Sequence, residues 1–226
     1  MGDPRHPLRP GDPAPAFTLP SANREGSISL DGLHGRPFLI GLFRGLHCPF
    51  CRRQVTQLTE VQPVLREAGV EILAVINTPV ERARLYFRYR NVPFPLLADP
   101  DCRTHRAFGV PSAEFLPEGS SDPPEWPLRT RMADFEAARI NPTGELPQPT
   151  QPLAANAALN AMDGFELDES DKAIMASHPT QLVGHFLVDG SGTIAWANIE
   201  ARDGPSSLCY FPDAAEIIAA VGALGR

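Results

Sequence analysis

At 226 residues, 42% of them hydrophobic, the chain is long enough to bury one sizeable core and is read as a single domain with decoration. Its formal net charge of -7 comes with no basic run to neutralise a phosphate backbone or an anionic lipid surface, which argues against nucleic acid and membranes as partners. Four cysteines are too few for a disulfide scaffold at this length, so catalytic, metal-binding or packing roles are left for them.

In chain order, Pro4, Pro7, Pro10, Pro13, Pro15 and Pro20 should hold the first twenty residues extended over the surface. No apolar segment follows the early basic residues, and His6 stands where a myristoylation signal needs Ser or Thr. Neither export nor lipidation is expected, and the protein is placed in the cytoplasm. No apolar run has membrane-spanning length. Residues 27–30 suggest a short strand. Residues 37–43, "PFLIGLF", are the near-continuous apolar run of a strand buried on both faces.

From residue 49 to 68 the apolar positions Val55, Leu58, Val61, Val64 and Leu65 recur at three- or four-residue steps before Gly69. This is one amphipathic helix with a glycine stop. Pro49 suits its first turn, whereas Pro63 should kink or split it. Strand 70–76, a helix from 79 to about 90, and strand 94–99 continue a βαβ layout with parallel pairing.

Residues 183–198 read as two strands joined by a tight glycine turn, and a last helix runs from 213 to 224. Between the halves lie residues 111–180, too long for a structureless loop inside a domain. Helical patches at 132–140, 153–162 and 170–177 mark this segment as an insertion packed on the core. Trp126 and Trp196 are read as core or cover residues.

The stretch "FRGLHCPFCRRQ" carries the chemistry. A thiol is nucleophilic as thiolate, and a helix N-terminus supplies unpaired N–H groups that stabilise one. Such thiols titrate at roughly 3.5 to 7.5 against about 8.5 for a free cysteine. Cys48 is expected at the mouth of the helix that Pro49 opens, with Cys51 one turn in and less exposed. Arg44, His47, Arg52 and Arg53 should add positive surroundings, His47 as an electrostatic neighbour rather than a general base. Cys48 can attack and Cys51 resolve, by peroxide reduction or by disulfide exchange.

Other readings stay open. Cys102 and His105 offer the second half of a Cys3His zinc set with Cys48 and Cys51. Taken singly, Cys102 and Cys209 are packing or surface residues. His185 is read as a partly buried side chain with a satisfied hydrogen bond.

"GDPAPAFTLP", "FLIGLF", "HCPFC", "FPLLADPDCRTHRAFGV" and "FLVDGSGTI" follow one another in an order that resembles peroxiredoxins of the alkyl hydroperoxide reductase and thiol-specific antioxidant type. The resemblance covers roughly residues 10–110 and 183–224. It implies an α/β thioredoxin-like fold, a central mixed sheet flanked by helices, and leaves unexplained the roughly 70-residue insertion before the C-terminal hairpin. It also implies that Cys48 is the peroxidatic cysteine. The chain departs from the family at Gly41 and Gly45, where a proline and a peroxide-binding threonine or serine are usual. Val183, Gly184 and His185 stand where an arginine is expected, and Pro179 lies early for the cis-proline of thioredoxins.

The expectation is a thiol oxidoreductase acting on a hydroperoxide or disulfide, without a cofactor or metal. A small thiol or thioredoxin-like donor would reduce it, and a homodimer is one expected assembly. A competing expectation is a binding or assembly module that recognises a partner through residues 111–180.

Overall fold

The computed structural model describes residues 7–125, 129–201 and 203–224. Pro4, His6 and Trp126 lie outside the described residues. The proline-rich lead runs along the sheet edge, where Gly11 and Ala14 each donate a backbone N–H over 2.8 Å, to the Ile194 and Gly192 carbonyls. It ends in an antiparallel pair, β1 (Thr18–Pro20) with β2 (Ser27–Ser29).

β3 (Phe38–Phe43) is buried at every position, as its unbroken apolar run requires. α1 (Pro49–Glu67) follows as one uninterrupted helix that Pro63 does not split. Pro63 is exposed and Thr59, whose carbonyl a Pro63 N–H would otherwise reach, is half-buried, so the loss falls on the solvent side. Gly69 ends the helix at φ 74°, where a side chain would strain the backbone, and Val70 N–H closes the end on the Leu65 carbonyl at 2.9 Å.

β4 (Glu71–Ile76), α2 (Val80–Phe87) and β5 (Leu96–Ala98) complete the parallel half, followed by the short α3 (Arg103–Ala107). The sheet order is β5-β4-β3, continuing into β8 (Gly184–Val188) and β9 (Ile194–Ile199). β3 pairs parallel with β4 and antiparallel with β8, so the sheet is mixed, and α7 (Ala214–Gly222) packs on α1. The β8–β9 turn is held by the Asp189 carboxylate, which accepts Ser191 N–H at 2.8 Å and Thr193 N–H at 3.0 Å. Trp196 is half-buried against the core and covers it.

Between α3 and β8 the chain forms a parallel pair, β6 (Glu114–Phe115) with β7 (Arg129–Thr130), and three helices. These are α4 (Met132–Ala137), α5 (Pro152–Met162) and α6 (Glu169–Ser177). The helix expected over 132–140 stops at Ala137 because Ile140 instead exchanges backbone hydrogen bonds with Thr150. The two ends of the segment meet: Ala113 N–H donates to the Thr180 carbonyl and Leu182 N–H to the Pro111 carbonyl, each at 3.1 Å.

Candidate active site

The turn from β3 into α1 is tied at both sides. Leu46 N–H donates to Thr78 Oγ1 at 3.1 Å, and Cys48 N–H donates to the Gly45 carbonyl at 3.0 Å. Cys48 has extended backbone (φ −89°, ψ 102°) and is the N-cap of α1, with Pro49 in the first turn. Its sulfur takes the place of the usual cap oxygen, accepting Cys51 N–H at 3.1 Å. The Cα atoms of Cys48 and Cys51 are 5.3 Å apart and their sulfurs lie at disulfide distance. Both residues are buried, at 1% and 2% exposure, so Cys48 is no more open than Cys51, contrary to the expectation from the sequence.

The four cationic residues expected around Cys48 are deployed differently from the sequence reading. His47 is buried, and burial followed by the charges of Arg44 and Arg52 pushes its pKa down to about 4. It is therefore neutral at physiological pH and adds no positive field. Its ring lies over Gly45: a Cβ there would stand 3.0 Å from His47 Nδ1 and 2.6 Å from the Asn77 carbonyl oxygen.

The Arg44 guanidinium points elsewhere. It pairs with Glu200 at 2.5 Å and donates to the Gln181 carbonyl at 3.1 Å and to Cys209 Sγ at 3.2 Å. Burial would lower its pKa, but Glu200 and Cys209 outweigh that and hold Arg44 charged. The same Glu200 carboxylate accepts Val183 N–H at 2.8 Å and Cys209 N–H at 2.7 Å.

Arg52 and Arg53 are taken up by the 111–180 segment. Arg52, only 7% exposed, donates to the Leu46 carbonyl, to Asn160 Oδ1 at 2.9 Å and to Asp163 Oδ2 at 2.5 Å. Its guanidinium also lies 4.2 Å from the Phe165 ring centroid. Arg53 bonds Glu145 at 2.6 Å and Asp163 at 2.8 Å, and these hydrogen bonds hold both carboxyls below their usual range. Asn160 Nδ2 donates to the His47 carbonyl at 3.0 Å. A cavity of about 810 Å³ runs along this seam, bounded by Arg52, Arg53, Arg82, Tyr86, Asp163 and Phe165.

The zinc reading is overturned. Among the described residues no three His, Cys, Asp or Glu side chains come together in a way that could hold a metal ion, so Cys102 and His105 do not join Cys48 and Cys51. Cys102 caps α3 with no exposure, and burial pushes its thiol up to about 12. Cys209 is also buried with its thiol pushed up to about 12, and with Phe50 it borders a cavity of about 310 Å³. His185 is fully buried between Phe43 and Phe211, with ring centroids 5.3 Å and 5.9 Å away. Neither ring nitrogen has a hydrogen-bond partner among the described residues, which corrects the expectation of a satisfied bond.

Asn160 and Glu200 were not singled out from the sequence. For Asn160 there was a faint signal, a polar residue beside Leu159 on the buried stripe of an alanine-rich helix. Glu200 gave none, because its partners lie 156 and 17 residues before it and 9 after it.

The AhpC/TSA family matches residues 10–139, more than half of the chain and the part that holds both Cys48 and Cys51. The chain belongs to the AhpC/TSA family. The putative peroxiredoxin Rv2521 of Mycobacterium tuberculosis (strain H37Rv) is 30% identical over 103 residues, 46% of this chain and 65% of the relative. Peroxiredoxin Bcp of Escherichia coli K12 is 30% identical over 105 residues, 46% of this chain and 67% of the relative. The chain thus spans about two thirds of the length of these curated relatives.

Solved structures show the same fold across nearly the whole AhpC/TSA chain. Peroxidoxin BcpB from Mycobacterium tuberculosis superposes with a TM-score of 0.57 at 13% identity, covering 97% of this chain and 99% of the other. The reduced 2-Cys peroxiredoxin of Plasmodium vivax gives 0.58 at 13% identity, covering 96% and 82%. The thioredoxin-like architecture read from the sequence is therefore the observed one, with its mixed sheet in the order β5-β4-β3-β8-β9.

Proposed function

We propose that this AhpC/TSA chain is a thiol peroxidase that reduces hydroperoxides at Cys48 and resolves through Cys51. The observation that carries the reading is the placement of Cys48 as sulfur cap of α1, with Cys51 at disulfide distance. The Cys48 thiolate attacks the terminal peroxide oxygen; the O–O bond breaks, the alcohol leaves with a proton, and Cys48 becomes a sulfenic acid. The Cys51 thiol then attacks that sulfur, expelling water and forming the intramolecular disulfide. Two electrons from a small thiol or a thioredoxin-like dithiol return the pair to thiols. This sets the reaction in a reducing compartment such as the cytoplasm, and no helix among the described residues is long and apolar enough to cross a membrane.

A second reading, disulfide exchange by the same pair, is favoured by one observation. Arg44 is committed to Glu200 and Cys209, and Gly45 brings no hydroxyl to the turn before Cys48. Stopped-flow oxidation of reduced protein by hydrogen peroxide separates the two readings. The peroxidase predicts fast loss of the Cys48 thiol in wild type and Cys51→Ser and none in Cys48→Ser. A wild-type rate no greater than that of free cysteine removes peroxide as substrate and leaves exchange. Undiminished turnover by Cys48→Ser in both peroxide and disulfide assays sinks both.

A further inference from the structure

The peptide carbonyls of Leu46 and His47, the two that precede Cys48, are both capped. Arg52 donates to the first, and Asn160 Nδ2 donates to the second at 3.0 Å. Arg52 and Asn160 are joined to each other at 2.9 Å, and Asn160 is further braced by Asn156 Oδ1 at 2.9 Å. Arg52 is 7% exposed and Asn160 9%. Asp163, one turn on from Asn160, accepts from both Arg52 and Arg53. Arg52 comes from the helix that Cys48 caps, whereas Asn160 and Asp163 come from the segment between α3 and β8.

We infer that Asn160 is a positioning residue of the Cys48–Cys51 centre, and that the 111–180 segment completes this centre by capping the carbonyls that lead into Cys48. The physical reason is electrostatic and geometric. A carbonyl carries partial negative charge, and the His47 carbonyl is one bond from the Cys48 nitrogen. Bound by Asn160, it is fixed in direction and its charge is partly offset. Unbound and buried, it lacks a donor, and the peptide leading into Cys48 loses one of the bonds that fix its direction. The thiolate at Cys48 then loses part of its advantage over the thiol, and the reduced pair becomes less stable relative to the disulfide.

The inference concerns the same pair as the proposed function, so the readout is independent of turnover. The Cys48–Cys51 pair is equilibrated with dithiothreitol at fixed ratios of reduced to oxidised reagent, and Cys48 is titrated by thiolate absorbance in reduced protein. Asn160→Leu is expected to shift the equilibrium about three- to tenfold toward disulfide, the size of one net hydrogen bond, and to raise the Cys48 pKa. Asn160→Asp keeps an acceptor for Arg52 but has no donor for His47. It is expected to shift both quantities the same way, and it serves if the leucine variant does not fold.

Leu159→Ala is the structural control, since it opens the core beside Asn160 without touching the carbonyls. It should lower stability and leave both quantities at wild-type values. Wild-type equilibrium and pKa in the Asn160 variants, or an equal shift in Leu159→Ala, would overturn the inference. A wild type that reduces neither peroxide nor disulfide would end the proposed function without touching this result.

Discussion

His185 lies fully buried in the middle of the sheet, opposite Gly41, with both ring nitrogens unpaired. Burial alone pushes its pKa down to about 3. In the unfolded chain the same imidazole titrates near 6.5. A base whose folded pKa is depressed takes up its proton only in the unfolded state between those two values, so its contribution to stability falls as pH drops below about 6.5. Evaluated by linkage, the loss from pH 7 to pH 5 is about 2 kcal/mol from this one residue. That figure barely depends on the folded value, because any folded pKa well below 5 leaves the native imidazole neutral throughout the window.

His185→Leu removes the titration and the two unpaired nitrogens together, keeping an apolar side chain between Phe43 and Phe211. Urea unfolding of oxidised wild type and variant at pH 7 and pH 5 measures it. The difference in stability between the two proteins should move by about 2 kcal/mol in the variant's favour on acidification. Parallel pH dependence in the two proteins would show that the imidazole takes up its proton alike in the folded and unfolded chains, and the reasoning would fail.

Two further variants probe the surroundings of the cysteine pair. Glu200→Leu leaves the Arg44 guanidinium buried without its counter-charge and should cost about 3–5 kcal/mol in urea unfolding, a loss partly recovered by adding Arg44→Met; a loss below about 1 kcal/mol would contradict the burial of this pair. Gly45→Ala places a methyl 2.6 Å from the Asn77 carbonyl oxygen and 3.0 Å from His47 Nδ1. It should destabilise by about 1–3 kcal/mol and slow Cys48 oxidation, and unchanged unfolding together with unchanged stopped-flow rates would count against so tight a turn.

The elements that were legible in the sequence are those fixed by local pattern. The apolar run of β3 and the three-to-four spacing of Val55, Leu58, Val61, Val64 and Leu65 each need only near neighbours to be read, although Val64 of that set is exposed. Pro49 and Cys48 at the head of α1 follow from the chemistry of a helix start, and the cysteine pair was visible for that reason. The misreadings were all long-range. His47 looks like a cation until burial neutralises it, and His185 looks satisfied until Phe43 and Phe211 close around it. Of the kink or split that Pro63 suggests, the split does not occur, with Pro63 on the solvent face of α1.

The four cationic residues bear on what activates Cys48. In sequence Arg44, His47, Arg52 and Arg53 form one positive cluster about the thiol. In the folded chain Arg44 is balanced by Glu200, Arg52 and Arg53 share Asp163 and Glu145, and His47 is uncharged. Little net charge is left to act on Cys48 from a distance. What remains is short-range: the Cys51 N–H at 3.1 Å from the Cys48 sulfur and the two preceding carbonyls held by Arg52 and Asn160. The proposed activation of Cys48 therefore rests on backbone geometry, which Arg52 holds through the Leu46 carbonyl.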